Sequence, residues 1–272
     1  MMNAIDADQL RSSKENGYGT AMLIVGPILW LLFIAGTFGI ALLYVLFGFI
    51  GLFIAQQVFK TRVFGDSIMV TDKQFPEINA MVADYSKKLG LDEVPKTFVM
   101  NSGGISNALA ARFVTGRFIV LYSGLIDIMD KEMAGMVIGH ELGHHAAGHL
   151  SPWKSFLRLP AYLVPFLGAA YSRAREFTAD RIGATCLDDM AGAKRGLTGL
   201  ACGSQRLNKH VDSAAFVQQD AFVPPFIGFL VLIFSGYPRL TQRVMALDAL
   251  FAERPALASP SFGVARAPAA VR

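Results

Sequence analysis

Residues 136–149 read Met136-Val137-Ile138-Gly139-His140-Glu141-Leu142-Gly143-His144-His145-Ala146-Ala147-Gly148-His149, and hold four of the chain's 5 histidines. On an α-helix successive residues turn by about 100°, so His144 lies about 40° from His140 and both rings leave one face. One metal ion can take both. Glu141, about 100° from His140, stands beside such an ion without binding it, where a carboxylate can accept a proton from a metal-activated water. His145 and His149, about 140° and 180° round, are expected to support or pack, since neither reaches the ion while the helix holds. Asp130 is a suitable N-cap for a helix predicted over 131–149. Gly143 costs a helix interior about 1 kcal/mol against Ala, and its place there predicts another backbone packed close by.

Two histidines leave zinc one protein ligand short of a catalytic His2Glu set. A third histidine in the extended motif is excluded, because Ala147 and Leu150 occupy the positions that motif gives to Gly and His. The candidate is Glu176, in Ser172-Arg173-Ala174-Arg175-Glu176-Phe177-Thr178-Ala179-Asp180. Asp180, one turn on, is placed to orient a ligand histidine through its other ring nitrogen. The alternative is a solvated face on which Glu176 and Asp180 pair with Arg173, Arg175 and Arg181.

Outward from these motifs, the sequence from Asn16 to Phe59 carries no charge. About 20 apolar residues cross a bilayer, so one helix of that length would overshoot twofold. Gly36-Thr37-Phe38-Gly39 offers a turn, and two helices over about 20–36 and 39–58, forming a transmembrane hairpin, are predicted. One long tilted helix is the alternative. Residues 1–15 are polar, do not read as a secretory signal, and are expected to fray. Arg11 and Lys14 before the run, with Lys60, Arg62 and Lys73 after it, put the N-terminus and the following domain on the cytoplasmic side.

Past the run, Pro76 to Gly90 has the spacing of an amphipathic helix, and 97–122 that of short strands. Leu159–Ser172 and Ala221–Pro238 are apolar but short and broken by prolines, so they are expected to be buried or re-entrant. For His144 and Glu176 to share one ion, Leu159–Ser172 must begin and end on the same side of the membrane. The organisation expected is a tail and hairpin over 1–60, a catalytic domain over 61–253, and a disordered Ala- and Pro-rich tail over 254–272.

The composition agrees: 53% of residues are hydrophobic and only 17% charged, against about 25% in soluble domains. A net charge of +4 without interleaved basic and aromatic residues predicts no nucleic-acid partner. Cys186 and Cys202 lie far from the histidines and form no Cys-x-x-Cys pair, so two plain thiols are expected.

His140-Glu141-Leu142-Gly143-His144-His145-x-x-x-His149, followed by Glu176-x-x-x-Asp180, resembles the HtpX-type membrane zinc metallopeptidases, whose family also includes the CAAX prenyl endopeptidases. The resemblance runs from about 70 to 250, through Asn107-Ala108 and Val120–Leu125 upstream and Gly236–Val244 downstream. It implies a mostly α, α+β, zincin-like domain of the gluzincin kind, with an active-site helix, a small β-sheet and the hairpin as anchor. It also implies a bacterial cytoplasmic membrane, one zinc per chain held by His140, His144 and Glu176, and Glu141 as general base. The substrate would be a protein or peptide, with Asn107-Ala108 near the strand that holds its backbone, and membrane lipid would be the other partner. The chain departs from the family at Tyr237, where a His is usual, and in a shorter interval between the two ligand motifs. A Tyr hydroxyl can still donate to an oxyanion. The rival reading is a zinc-binding membrane scaffold or chaperone-like protein without proteolysis, which would have no use for Glu141. The sequence leaves the oligomeric state open.

Overall fold

The charge-free run forms two helices, α1 (Ser13–Gly36) and α2 (Ala41–Asp66), each long and apolar enough to cross a membrane. The computed structural model describes residues 4–101, 103, 107–113 and 116–253, so the tail expected to be disordered, 254–272, lies outside the described residues. Between the helices Phe38 and Gly39 adopt φ of +51° and +86° and reverse the chain, at the place the glycines predict. Trp30 of α1 stacks on Phe156 at 5.1 Å and Phe49 of α2 meets the same ring at 5.4 Å, so the two helices run side by side. Both helices outrun the predicted bounds. The α2 helix continues through Lys60 and Arg62, because backbone hydrogen bonding does not stop where apolarity does.

Over the described residues 4–15 the polar N-terminal segment is fastened, not frayed. Leu10 is only 1% exposed and belongs to the main core with Ile182 and Leu247. Arg11 pairs with Glu15 and donates to the carbonyl of Ala147.

Four strands follow: β1 (Ser67–Met69), β2 (Lys96–Met100), β3 (Ala108–Phe113) and β4 (Gly116–Tyr122), with α3 (Pro76–Lys88) between β1 and β2. Their order is β1-β2-β4-β3, with β2 and β4 parallel and the outer pairs antiparallel, which leaves β3 as an edge. Phe118 to Leu121 of β4 are all buried, a continuous apolar run typical of a strand covered on both faces. The rest is helical: α4 (Ser123–Asp127), α5 (Lys131–Ala146), α6 (Pro152–Arg158), α7 (Leu167–Leu187), α8 (Met190–Cys202), α9 (Gln205–Asn208), α10 (Ser213–Gln218), α11 (Pro225–Phe234) and α12 (Leu240–Glu253). Single 3-10 turns occupy Leu159–Leu163 and Gln219–Phe222.

Helix α5 is the axis of this domain, buried from Gly135 to His145. Asp130 caps it by accepting the N–H of Met133 at 2.8 Å. It stops at Ala146, short of the predicted 149, because Gly148 turns left-handed (φ +69°) and the N–H of His149 bonds back to His144 at 3.1 Å. The close approach that Gly143 predicts is made by α7. A Cβ on Gly143 would lie 3.2 Å from the Ala179 carbonyl oxygen, and one on Gly139 would lie 2.9 Å from the Cα of Gly183. Small residues on both helices therefore let the two backbones touch.

Candidate active site

That contact between α5 and α7 brings Glu176 onto the ligand face of α5. Its Oε2 lies 3.4 Å from His140 Nε2, its Oε1 3.6 Å from His144 Nε2, and the two Nε2 atoms are 3.2 Å apart. One donor atom from each residue lies within 4.8 Å of the others. Donors held about 2.0–2.2 Å from a tetrahedral ion stand about 3.3–3.6 Å from one another. The nearest approaches, made to the two histidines by different oxygens of Glu176, fall close to that spacing, so the three groups can converge on one ion. Glu176 and Asp180 are buried, so the solvated-face alternative fails; Arg173 instead donates to the carbonyls of Leu232 and Ser235.

The outer nitrogen of each histidine is held as well. Asp180 Oδ1 is 2.8 Å from His140 Nδ1, and Arg243 of α12 donates to both oxygens of Asp180. His144 Nδ1 is 2.8 Å from His149 Nδ1, and His149 Nε2 is 3.1 Å from Glu15 Oε1. Glu15 also accepts from the hydroxyl of Thr178. His149 reaches His144 because Gly148 has ended the helix. His145 points elsewhere, with Nε2 3.2 Å from the Phe118 carbonyl oxygen.

Charge is divided unevenly among these groups. Burial disfavours a charged His140, but the Asp180 and Glu176 carboxylates outweigh it and push its pKa up to about 10. Burial drives His144 well down, aided by the charges of His140 and His149. Asp180, against its burial, is brought down to about 2 by Arg243. Burial raises Glu141, opposed by His140 and by a hydrogen bond from the Ala110 backbone of β3.

A cleft of about 130 Å³ opens on this cluster, lined by Asn107, Ala108, Glu141, Glu176, Tyr237 and Arg243, with Leu125, Val137 and Leu197 as its apolar wall. The loop that carries Tyr237 is pinned by Arg173 at one end and by the Arg239–Asp220 ion pair at the other. Sequence reasoning missed Glu15 and gave no role to Arg243. The Gly236–Val244 segment contained the signal for Arg243; Glu15, among mixed charges far upstream, had none.

Comparison with known proteins bears on this geometry. The model of peptidase family M48 matches residues 72–159 and 153–251. A protease HtpX homolog of Sulfurihydrogenibium sp. (strain YO3AOP1) is 26% identical over 304 aligned positions, covering 90% of this chain and 96% of that protein. One of Pyrobaculum calidifontis is 27% identical over 147 residues, 40% of this chain and 42% of that protein. This chain therefore spans less than half of the Pyrobaculum relative, but nearly all of the Sulfurihydrogenibium one. No solved structure matches. The family match takes in both helices that build the cluster and runs on into α12, and the chain accordingly belongs to peptidase family M48.

Proposed function

We propose that this protein is a membrane-anchored zinc endopeptidase with His140, His144 and Glu176 as the metal ligands and Glu141 as the general base. The observation that carries the reading is the convergence of those three donor groups beside a buried Glu141 at the floor of a cleft. Zinc, when bound there, would polarise a peptide carbonyl and acidify a water. Glu141 takes the proton released and returns it to the leaving amine, a double duty suited to a carboxyl whose pKa burial has raised. Asp180 and His149 keep His140 and His144 in the tautomer with a free Nε2 lone pair: His144 Nδ1–H donates to His149, and His149 Nε2–H donates to Glu15. The β3 edge, which begins at Ala108 just after Asn107, would offer main-chain hydrogen bonds to an extended substrate. Tyr237, which lines the cleft, would donate its hydroxyl to the developing oxyanion.

The fold is read as a zincin-like domain of residues 61–253 completed by the N-terminal residues Leu10 to Glu15, held by the α1–α2 hairpin in a bacterial cytoplasmic membrane, with the cluster on the cytoplasmic side. The positions of Arg11, Lys14, Lys60, Arg62 and Lys73 support that orientation. Purified Glu141→Gln protein is the test. It should bind as much zinc as wild type and cleave an unfolded protein substrate at least about 100-fold more slowly. Undiminished cleavage would overturn the mechanism.

A further inference from the structure

The segment between the histidine helix and Glu176 is attached to the middle of the hairpin. Phe156 of α6 touches Trp30 and Phe49. Trp30 is six residues from the end of α1 and Phe49 eight from the start of α2, so each lies about 9–12 Å from the turn. Farther along, a Cβ on Gly26 would strike the carbonyl of Leu157, so the α6 backbone lies against α1 there too. If the hairpin crosses a hydrocarbon core about 30 Å thick, these contacts fall inside it.

We infer that 152–166 is a re-entrant segment that dips into the bilayer beside the hairpin, and that α11 lies on the same lipid-facing shelf. The inference rests on the proposed membrane anchoring of α1 and α2. Its outer face is apolar, with Trp153 67% and Leu163 83% exposed. Phe166 at its end meets Phe234 of α11 at 5.3 Å, and α11 turns Phe226 and Phe229 outward. Such a surface in water is an aggregation hazard, but through Phe156 it adjoins α1 and α2, whose own flanks are exposed and apolar.

Backbone polarity is handled as a lipid environment demands. The Phe156 carbonyl accepts the indole N–H of Trp30 at 3.0 Å, and the Leu232 and Ser235 carbonyls at the end of α11 both accept from Arg173 at 2.6 Å. The segment's own cations turn the other way: Lys154 and Arg158 line a polar cleft with Arg11, Glu15 and Asn16 at the outer end of α1. The segment also returns to its side of entry. His149 just before it and Glu176 after it both touch His144.

The chain's 2 tryptophans, Trp30 and Trp153, supply the test. Trp30→Phe leaves Trp153 as the reporter on the shelf, and Trp153→Phe leaves Trp30 as the reporter on the hairpin. Each full-length variant is reconstituted in phosphatidylcholine vesicles with brominated acyl chains. Loss of Trp153 emission comparable to that of Trp30, with little quenching by aqueous acrylamide, is expected. Quenching of Trp30 but not Trp153 would overturn the re-entrant segment and leave the anchor standing. Quenching of neither would overturn both. Phe229→Trp in a tryptophan-free background reads the second wing, and an unquenched signal there would remove α11 from the shelf.

Discussion

Arg243 grips both carboxylate oxygens of Asp180, each at 2.7 Å, and so fixes the group that holds His140. Three helices meet in this one contact, for Arg243 lies on α12, Asp180 on α7 and His140 on α5. The arginine keeps a carboxylate ionised where burial alone would neutralise it.

Breaking the pair from one side should therefore be costly. Arg243→Ala leaves a buried carboxylate uncompensated, a loss of about 3–5 kcal/mol. Denaturant unfolding of the metal-free variant measures it, and a loss below 1 kcal/mol would show that water replaces the guanidinium. Asp180→Asn keeps the shape but should weaken zinc about 10–100-fold, read by competition with a chromophoric chelator.

Metal content separates ligands from their supports. His140→Ala, His144→Ala and Glu176→Ala should each lose bound zinc through dialysis. His149→Ala should keep it at saturating zinc while binding about 10–100-fold more weakly, because only the orientation of His144 suffers. Full zinc retention by Glu176→Ala would send the third ligand elsewhere.

The touching backbones of α5 and α7 give a steric prediction. A Cβ at Gly183 would lie 2.8 Å from the backbone nitrogen of His140, which cannot move without the imidazole. Gly183→Ala should cost at least about 1–3 kcal/mol and lower zinc occupancy as well. Gly36→Ala, with nothing within 4 Å of the new methyl, is the control and should change neither.

His145 adds a dependence on pH. Burial lowers its pKa to about 4, from an ordinary 6.5. As pH falls, the unfolded chain takes up this proton first, so the stability held above about 6.5 is lost progressively toward 4. That loss is at most about 3 kcal/mol. His145→Gln can still donate to the Phe118 carbonyl and should show a shallower decline over that range in pH-dependent unfolding. Parallel curves for the two proteins would assign the acid loss to other groups.

The histidine helix and the break between the apolar helices were legible because each is written within a few residues. Helical period fixes where His140, Glu141 and His144 point, and the pair Gly36 and Gly39 marks the turn. Gly143 even foretold the neighbouring backbone. Gly148 was an equally local stop signal, but the run of histidines drew the predicted helix past it. What could not be read were contacts across long stretches of chain. Glu15 meets His149 across 134 residues and Arg243 meets Asp180 across 63, and neither partner carries a local mark of the other. The polar N-terminus looked like a tail for the same reason, since the apolar partners of Leu10 lie far along the chain.

Glu15 sits in the first turn of α1, and through His149 it is two hydrogen bonds from His144. With Leu10 already inside the main core, the two apolar helices stand between one segment of that core and the rest of it. A soluble fragment begun at residue 61 would therefore be a damaged domain. It would lack the carboxylate beneath His149 and the leucine that fills the core beside Ile182. A fragment that keeps residues 4–23 and replaces the remainder of the hairpin with a short polar linker retains both.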